Sequence, residues 1–341
     1  MIEQTPIFDK KNVIVTGGAG FLGSHLCERL LREAKVICMD DLSNSNIRNI
    51  EHLLQYPDFE FIKTDVNNPI DLDSFPELEK FKVRFQGVQE IYHLACPMNP
   101  KQFDAMKMQS LWANSRSMIS TLDLAVKYRA KYLFSSSSVV YGNAFAQNGA
   151  FTEEQEGIVN HMSSRACYDE GKRFAETSVA TYRQVHNLDA KIARIFNTYG
   201  PRMKLRDGLL VPDLILDALE GRDLEIHGDL EQKIPLCYVS DTIDGMIRLM
   251  HAGSDTWLTN IGNDVSISMN DLASRIIAMT GSSSQISMQP PLEFGLETGI
   301  PDLRKAKEKL GWMPLVRLDD GLKKIIDYTI ANKEAMGYHV S

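Results

Sequence analysis

The sequence predicts an α/β protein: a doubly wound parallel sheet followed by a smaller lobe. Three observations carry that expectation. From residue 12 onward, short β-branched runs alternate with longer helix-like segments, the runs are apolar on both faces, and a glycine-rich turn joins the first run to the first helix. Strands are expected at Val13–Thr16, Val36–Asp40, Phe59–Lys63, Ile91–Ala95, Tyr132–Ser135 and Lys191–Ile195. Strands covered by helices on both sides keep no polar face, so they read as continuous apolar runs. Helices are expected at Leu22–Glu33, Ala113–Tyr128 and Tyr168–His186, which can serve as right-handed crossovers.

After Pro201 the rhythm loosens. Amphipathic helices are expected at Val211–Leu219 and Asp271–Met279, with short strands near Leu224–His227 and Tyr238–Val239. Ser282–Pro301 reads as irregular, being rich in Ser, Gly and Pro, and Asp302–Leu310 and Asp320–Asn332 read as closing helices. The sheet domain is expected over residues 10–200 with a returning segment at about 233–262, and the lobe over 201–232 and 263–335.

The chain of 341 residues is 43% hydrophobic and 24% charged, which excludes a disordered chain. Its 37 Lys+Arg against 45 Asp+Glu give −8, so a nucleic-acid partner is not expected and any anion must be held by a local pocket. The five cysteines, Cys27, Cys38, Cys96, Cys167 and Cys237, form no CxxC pair, so neither a disulfide framework nor a metal site is expected. Met1–Pro6 lacks the pattern of a signal peptide and no stretch is apolar enough for a membrane span, so a cytoplasmic protein is expected.

The first motif is Val13-Ile14-Val15-Thr16-Gly17-Gly18-Ala19-Gly20-Phe21-Leu22-Gly23, a buried strand running through a glycine turn into a helix. Gly17 and Gly20 let a pyrophosphate approach the backbone, Gly23 lets the helix pack closely, and the helix start offers free N–H groups. The second strand ends at Asp40, 20 positions after Gly20, where a carboxylate meets adenosine ribose hydroxyls. Its charge repels a 2′-phosphate, so NAD is expected over NADP. Asp65 and Val66, ending the third strand, suit the adenine edge.

In the second motif, Tyr168 and Lys172 lie one helical turn apart on the same face. A phenol with a pKa of about 10 is a poor base at neutral pH, and a neighbouring ammonium is expected to lower it. Ser137 stands 31 residues before Tyr168, near a strand's carboxyl end, where such sheets hold their ligands.

These residues carry a resemblance. The sequence resembles the extended short-chain dehydrogenases/reductases, and within them the nucleotide-sugar epimerases, dehydratases and decarboxylases. Thr16–His25 is similar to the family's cofactor turn, which adds Phe21 and Leu22 as cofactor contacts, and Tyr92-His93-Leu94-Ala95-Cys96-Pro97 to its fourth-strand signature, which adds Leu94 and Ala95. Arg165–Arg173 and Arg194–Met203 resemble the UDP-glucuronate decarboxylases almost residue for residue, and Lys307–Trp312 with Asp320-Gly321-Leu322 resembles the family's close. The resemblance implies a Rossmann-type sheet, bound NAD and transient oxidation of a sugar hydroxyl, usually at the fourth carbon. Tyr168 would take the hydroxyl proton, Ser137 would hold that oxygen and Lys172 would tune Tyr168.

Three departures bear on the chemistry. The decarboxylases carry a Glu where this chain has Val139, and the dehydratases an Asp-Glu pair where it has Ser138 and Val139. The decarboxylases also carry an Arg at Ile234, and an Arg run before Pro-Asp where this chain has Thr298-Gly299-Ile300 before Pro301-Asp302. Arg202, Lys204, Arg206 and Lys233 remain to meet a diphosphate, with Arg202, Lys204, Lys233, Ser138 and Asn197 the expected substrate contacts.

Other candidates read as structural: His93 as a packing group, Cys96 and Cys167 as small hydrophobes, Met98, Met106 and Met108 as wall or core fillers, and Glu153–Glu156 as a solvated face. Arg165 reads equally as a substrate contact or the partner of an acid. The expected function is a redox-neutral nucleotide-sugar epimerase using NAD, with a UDP-sugar favoured. The alternatives are a UDP-glucuronate decarboxylase, a net NAD-dependent dehydrogenase or reductase, and a non-catalytic NAD-sensing protein. Relatives' helices suggest a homodimer through Ala113–Tyr128 and Tyr168–His186.

Overall fold

The computed structural model describes residues 10–97, 104–142, 146, 149–291 and 299–333. Met98 and Thr298 lie outside these described residues. Seven parallel strands form the main sheet: β1 (Lys11–Thr16), β2 (Ala34–Asp40), β3 (Phe59–Lys63), β4 (Glu90–His93), β5 (Lys131–Ser137), β6 (Ala190–Ile195) and β11 (Leu258–Ile261). Their order is β11-β6-β5-β4-β1-β2-β3, so the chain reverses direction across the sheet between β1 and β4. Such a reversal opens a crevice at the carboxyl ends.

Alternation along each strand divides the hydrophobic interior in two. Val13, Val15, Val36 and Cys38 face one side, packing with α1 (Phe21–Leu30) and α7 (Val239–Met250). Ile14, Ile37, Met39, Ile91, Tyr132 and Phe134 face the other, packing with α4 (Arg116–Tyr128) and α5 (Ala166–His186). Both faces are dry, which is why the strands read as unbroken apolar runs.

Several elements differ from the sequence expectation. The helix expected over 113–128 is broken: α3 (Lys107–Ala113) ends before Asn114, and α4 restarts at Arg116. Asn114 Nδ2 donates to the Ser110 carbonyl at 2.8 Å and Ser115 Oγ to the Leu111 carbonyl at 2.6 Å, so both side chains compete with the helix ladder. The strand expected near Tyr238–Val239 is Cys237–Tyr238, and Val239 already starts α7. Residues 239–261 thus return to the sheet, where β11 pairs with β6.

Outside the main sheet, α6 (Leu210–Leu219) and α8 (Met269–Thr280) pack beside small two-stranded sheets, followed by α9 (Arg304–Leu310) and α10 (Leu318–Asn332). The segment expected to be irregular contains a strand, Ile286–Gln289, paired in parallel with Leu224–His227. Glu153, expected on a solvated face, is only 6% exposed because its carboxylate accepts the Asn260 amide of β11 at 2.8 Å.

At the amino end of the sheet, Glu90 is buried under Lys11 Nζ at 2.7 Å and His251 Nε2 at 2.8 Å. Burial pushes the Glu90 carboxyl up, but hydrogen bonds from His251 and Lys11 and the Lys11 charge outweigh it, leaving the pKa below its usual 4.5. A carboxyl lowered on folding adds stability above its unfolded pKa, and that stability is lost as pH falls through the folded value. Glu90→Gln is expected to lose about 1–3 kcal/mol at pH 7, with a smaller deficit below pH 4.5, measured by urea denaturation of both forms.

Candidate active site

A cleft of about 680 Å³ runs along the carboxyl ends of the strands and is lined on its other side by residues 197–211 in part, Ile234 and Leu236. Its floor begins where β1 meets the glycine turn. Gly17 adopts φ +66°, and a Cβ there would lie 2.8 Å from the Ala95 amide nitrogen. A Cβ on Gly23 would stand 2.1 Å from the Gly17 carbonyl oxygen, so α1 reaches the strand this closely only with glycine. Gly20 starts α1 with no capping side chain and no acid follows in the first turn, which leaves its N–H groups for an anion.

At the end of β2 the buried Asp40 carboxylate accepts the Ala19 amide at 3.0 Å, the Leu42 amide at 2.9 Å and the Ser45 hydroxyl at 2.6 Å. Burial raises its pKa, and those bonds oppose the rise. Asp65, Val66, Leu94 and Ala95 continue the same wall, together with Phe21 and Leu22. An anion-binding helix start, a glycine cradle and a fixed carboxylate some twenty residues on fit NAD.

Beyond Ala95 the wall becomes chemical. Lys172 is buried on α5, its Nζ donating to the Ser135 carbonyl at 2.9 Å and standing 5.7 Å from the Tyr168 ring centroid. Tyr168 packs against Val139, Cys96 and Cys167, with the Ser137 side chain beside it. Burial raises the phenol above its ordinary 10, while the Ser137 hydroxyl and the Arg165 charge pull it down. Burial likewise lowers the Lys172 ammonium. The expected net lowering of Tyr168 by Lys172 is therefore not what this arrangement gives: desolvation wins.

A family model described as the NAD dependent epimerase/dehydratase family matches residues 13–262. The chain belongs to that family. Among its relatives are UDP-glucuronic acid decarboxylase 1 of Xenopus tropicalis, 37% identical over 94% of this chain and 72% of the relative, and UDP-glucuronic acid decarboxylase 3 of Arabidopsis thaliana, 38% identical over 91% and 86%. Among solved structures, UDP-glucuronic acid 4-epimerase from Bacillus cereus, in complex with UDP-glucuronic acid and NAD, is similar with a TM-score of 0.82, 26% identity and coverage of 94% and 99%.

In this family member the cations are unevenly placed. Arg202 and Lys204 line the cleft, Arg202 bonded to Glu28 of α1 and lying 3.3 Å from His52 Nε2, Lys204 donating to Asn44 Oδ1 at 2.8 Å. Arg206 instead pairs with Asp217 at 2.5 Å and Glu220 at 2.8 Å, outside the lining. Lys233 is exposed and also outside it, because β9 (Lys233–Pro235) presents Ile234 to the cleft and a strand alternates its faces. Ser138 and Asn197 line the cleft.

His93 holds Thr16 Oγ1 at 2.8 Å and Ser117 Oγ at 3.3 Å beneath the floor, and burial lowers its pKa to about 3. It is a neutral strut. Met106 and Met108 are not in the lining. The lining does include Gln109 and Trp112, which the sequence reading missed: both sit on α3, in a stretch with no motif of its own. Arg165 also lines the cleft, paired with Asp169 at 3.2 Å.

Two expectations follow from this geometry. Gly23→Ala should weaken NAD binding at least about tenfold with far-UV circular dichroism unchanged, measured by calorimetric titration. Arg165→Met removes a charge that lowers Tyr168, so the acid limb of kcat/KM should move to higher pH by about half a unit, read from a pH–rate profile.

Proposed function

We propose that this enzyme is a redox-neutral epimerase of a nucleotide sugar, acting at the fourth carbon, with a UDP-sugar the favoured substrate. Tyr168, once ionised, takes the proton of the sugar hydroxyl, and Ser137 holds the same oxygen by a hydrogen bond. The Lys172 ammonium, fixed by the Ser135 carbonyl, balances the charge that develops on the phenol. When bound, NAD supplies the two-electron oxidising and reducing capacity, held by the turn at Gly17–Gly23 and by Asp40. Arg202 and Lys204 face the cleft from the lobe side and suit the diphosphate.

The observation that carries the choice of epimerisation is the surface beside Tyr168. Val139, 4% exposed, packs directly against the ring, and the carboxylates lining the cleft belong to Asp40, Asp41, Asp65 and Asp207, at the ends of β2 and β3 and in the loop before α6. A hydrocarbon wall offers no second acid–base group for the carbons next to the keto group. Returning the hydrogen to the same carbon is then the step best supported. Identity of 37–38% to UDP-glucuronic acid decarboxylases favours decarboxylation as the second reading. A homodimer across α4 and α5 is part of the same proposal, supported by exposed Ile119 and Phe174 on those helices.

The test is incubation with UDP-glucose, UDP-N-acetylglucosamine and UDP-glucuronate, followed by proton NMR. A 4-epimer with no net NADH supports the proposal. A UDP-pentose with carbon dioxide would make the enzyme a decarboxylase, accumulating NADH a dehydrogenase, and bound NAD without turnover a sensor. Tyr168→Phe should keep fold and NAD and lose at least ~100-fold in rate.

A further inference from the structure

Three consecutive serines end β5, and the first two are fastened to different positions on one face of α5. The Ser135 carbonyl accepts from Lys172 Nζ at 2.9 Å and Ser136 Oγ donates to Glu176 Oε1 at 2.6 Å, while the Ser137 side chain lies beside Tyr168. Positions 168, 172 and 176 follow one another at single-turn spacing. The outermost fastening is the only one whose helix residue lies outside the cleft lining.

Glu176 is itself gripped. Arg194 of β6 meets it with two nitrogens, Nε at 3.0 Å and Nη2 at 2.8 Å. Arg194 Nη1 also donates to the Tyr141 hydroxyl and the Glu153 carbonyl, each at 3.0 Å, and Tyr141 donates to Asn260 Oδ1 of β11 at 2.7 Å. One buried network thus joins β5, β6, β11 and α5 directly behind Ser137, Tyr168 and Lys172. A bidentate guanidinium–carboxylate pair leaves little rotational freedom, so the Ser136 hydroxyl meets a fixed acceptor.

We infer that Glu176, locked by Arg194 and bonded to Ser136, is a positioning residue that sets the register of the β5 end against α5. The inference rests on Ser137, Tyr168 and Lys172 being the catalytic residues. Glu176 and Arg194 lie outside the cleft lining, which the network reaches only at Ser136; it fixes how far Ser137 stands from Tyr168. Positioning of this kind affects the chemical step more than binding, because the cleft walls that hold a nucleotide lie elsewhere.

Ser136→Ala removes the fastening and leaves the Glu176–Arg194 pair intact. With the sugar nucleotide that the wild type epimerises, kcat should fall about tenfold while KM and NAD content stay within about twofold. Glu176→Gln should lower kcat at least as much, and the double variant should show less than the product of the two losses. Amide hydrogen exchange over residues 135–141 should be faster in Ser136→Ala with melting temperature unchanged. A kcat within twofold of wild type overturns the inference, as does a joint change of kcat and KM with a lowered melting temperature. Absence of wild-type epimerisation would overturn the proposed function instead; exchange then decides the fastening alone, and unchanged exchange overturns it.

Discussion

The hydrogen bond from Lys172 to the Ser135 carbonyl is the contact on which the catalytic half of the cleft depends. It buries an ammonium against a strand end, and a buried charge is tolerated only where its donors are satisfied and its neighbours polarisable. The Phe134 and Tyr168 rings, with centroids 4.7 and 5.7 Å from Nζ, supply the second condition. Because the charge cannot move without losing these partners, α5 is held to β5 along its first turns, and Tyr168 faces Ser137 as a consequence.

Burial works against the phenol and the ammonium in opposite senses, raising Tyr168 and lowering Lys172. The two proton affinities, ordinarily close together, are thereby driven apart, each group being pushed towards its neutral form. Nearby, His93 is kept neutral by full burial. The opposite end of the sheet uses the same physics for stability alone, where Glu90 gathers Lys11 and His251.

An acidic chain can hold an anion only by concentrating its positive groups. Three devices do so here: the open start of α1, and Arg202 and Lys204 reaching from the lobe. Arg202 does more than face the cleft, since its bond to Glu28 links the lobe to the helix that starts at the glycine turn. Of the four cations expected to meet a diphosphate, Arg202 and Lys204 combine charge with access, whereas Arg206 is spent on Asp217 and Glu220 and Lys233 lies outside the lining.

Six of the seven strands of the main sheet, the glycine turn, Asp40 and the spacing of Tyr168 and Lys172 were legible in the sequence, because each rests on a short-range rule: unbroken apolar runs, the steric freedom of glycine, one-turn spacing on a helix. Tertiary structure decided the rest. It alone set Ile234 rather than Lys233 into the wall, buried Glu153 under β11, and paired β11 with β6 at the sheet edge. It also fastened two adjacent serines to separate positions on one helix. The fastenings and the burial of Glu153 depend on partners 37 to 107 residues apart, and no local pattern encodes a contact at that distance.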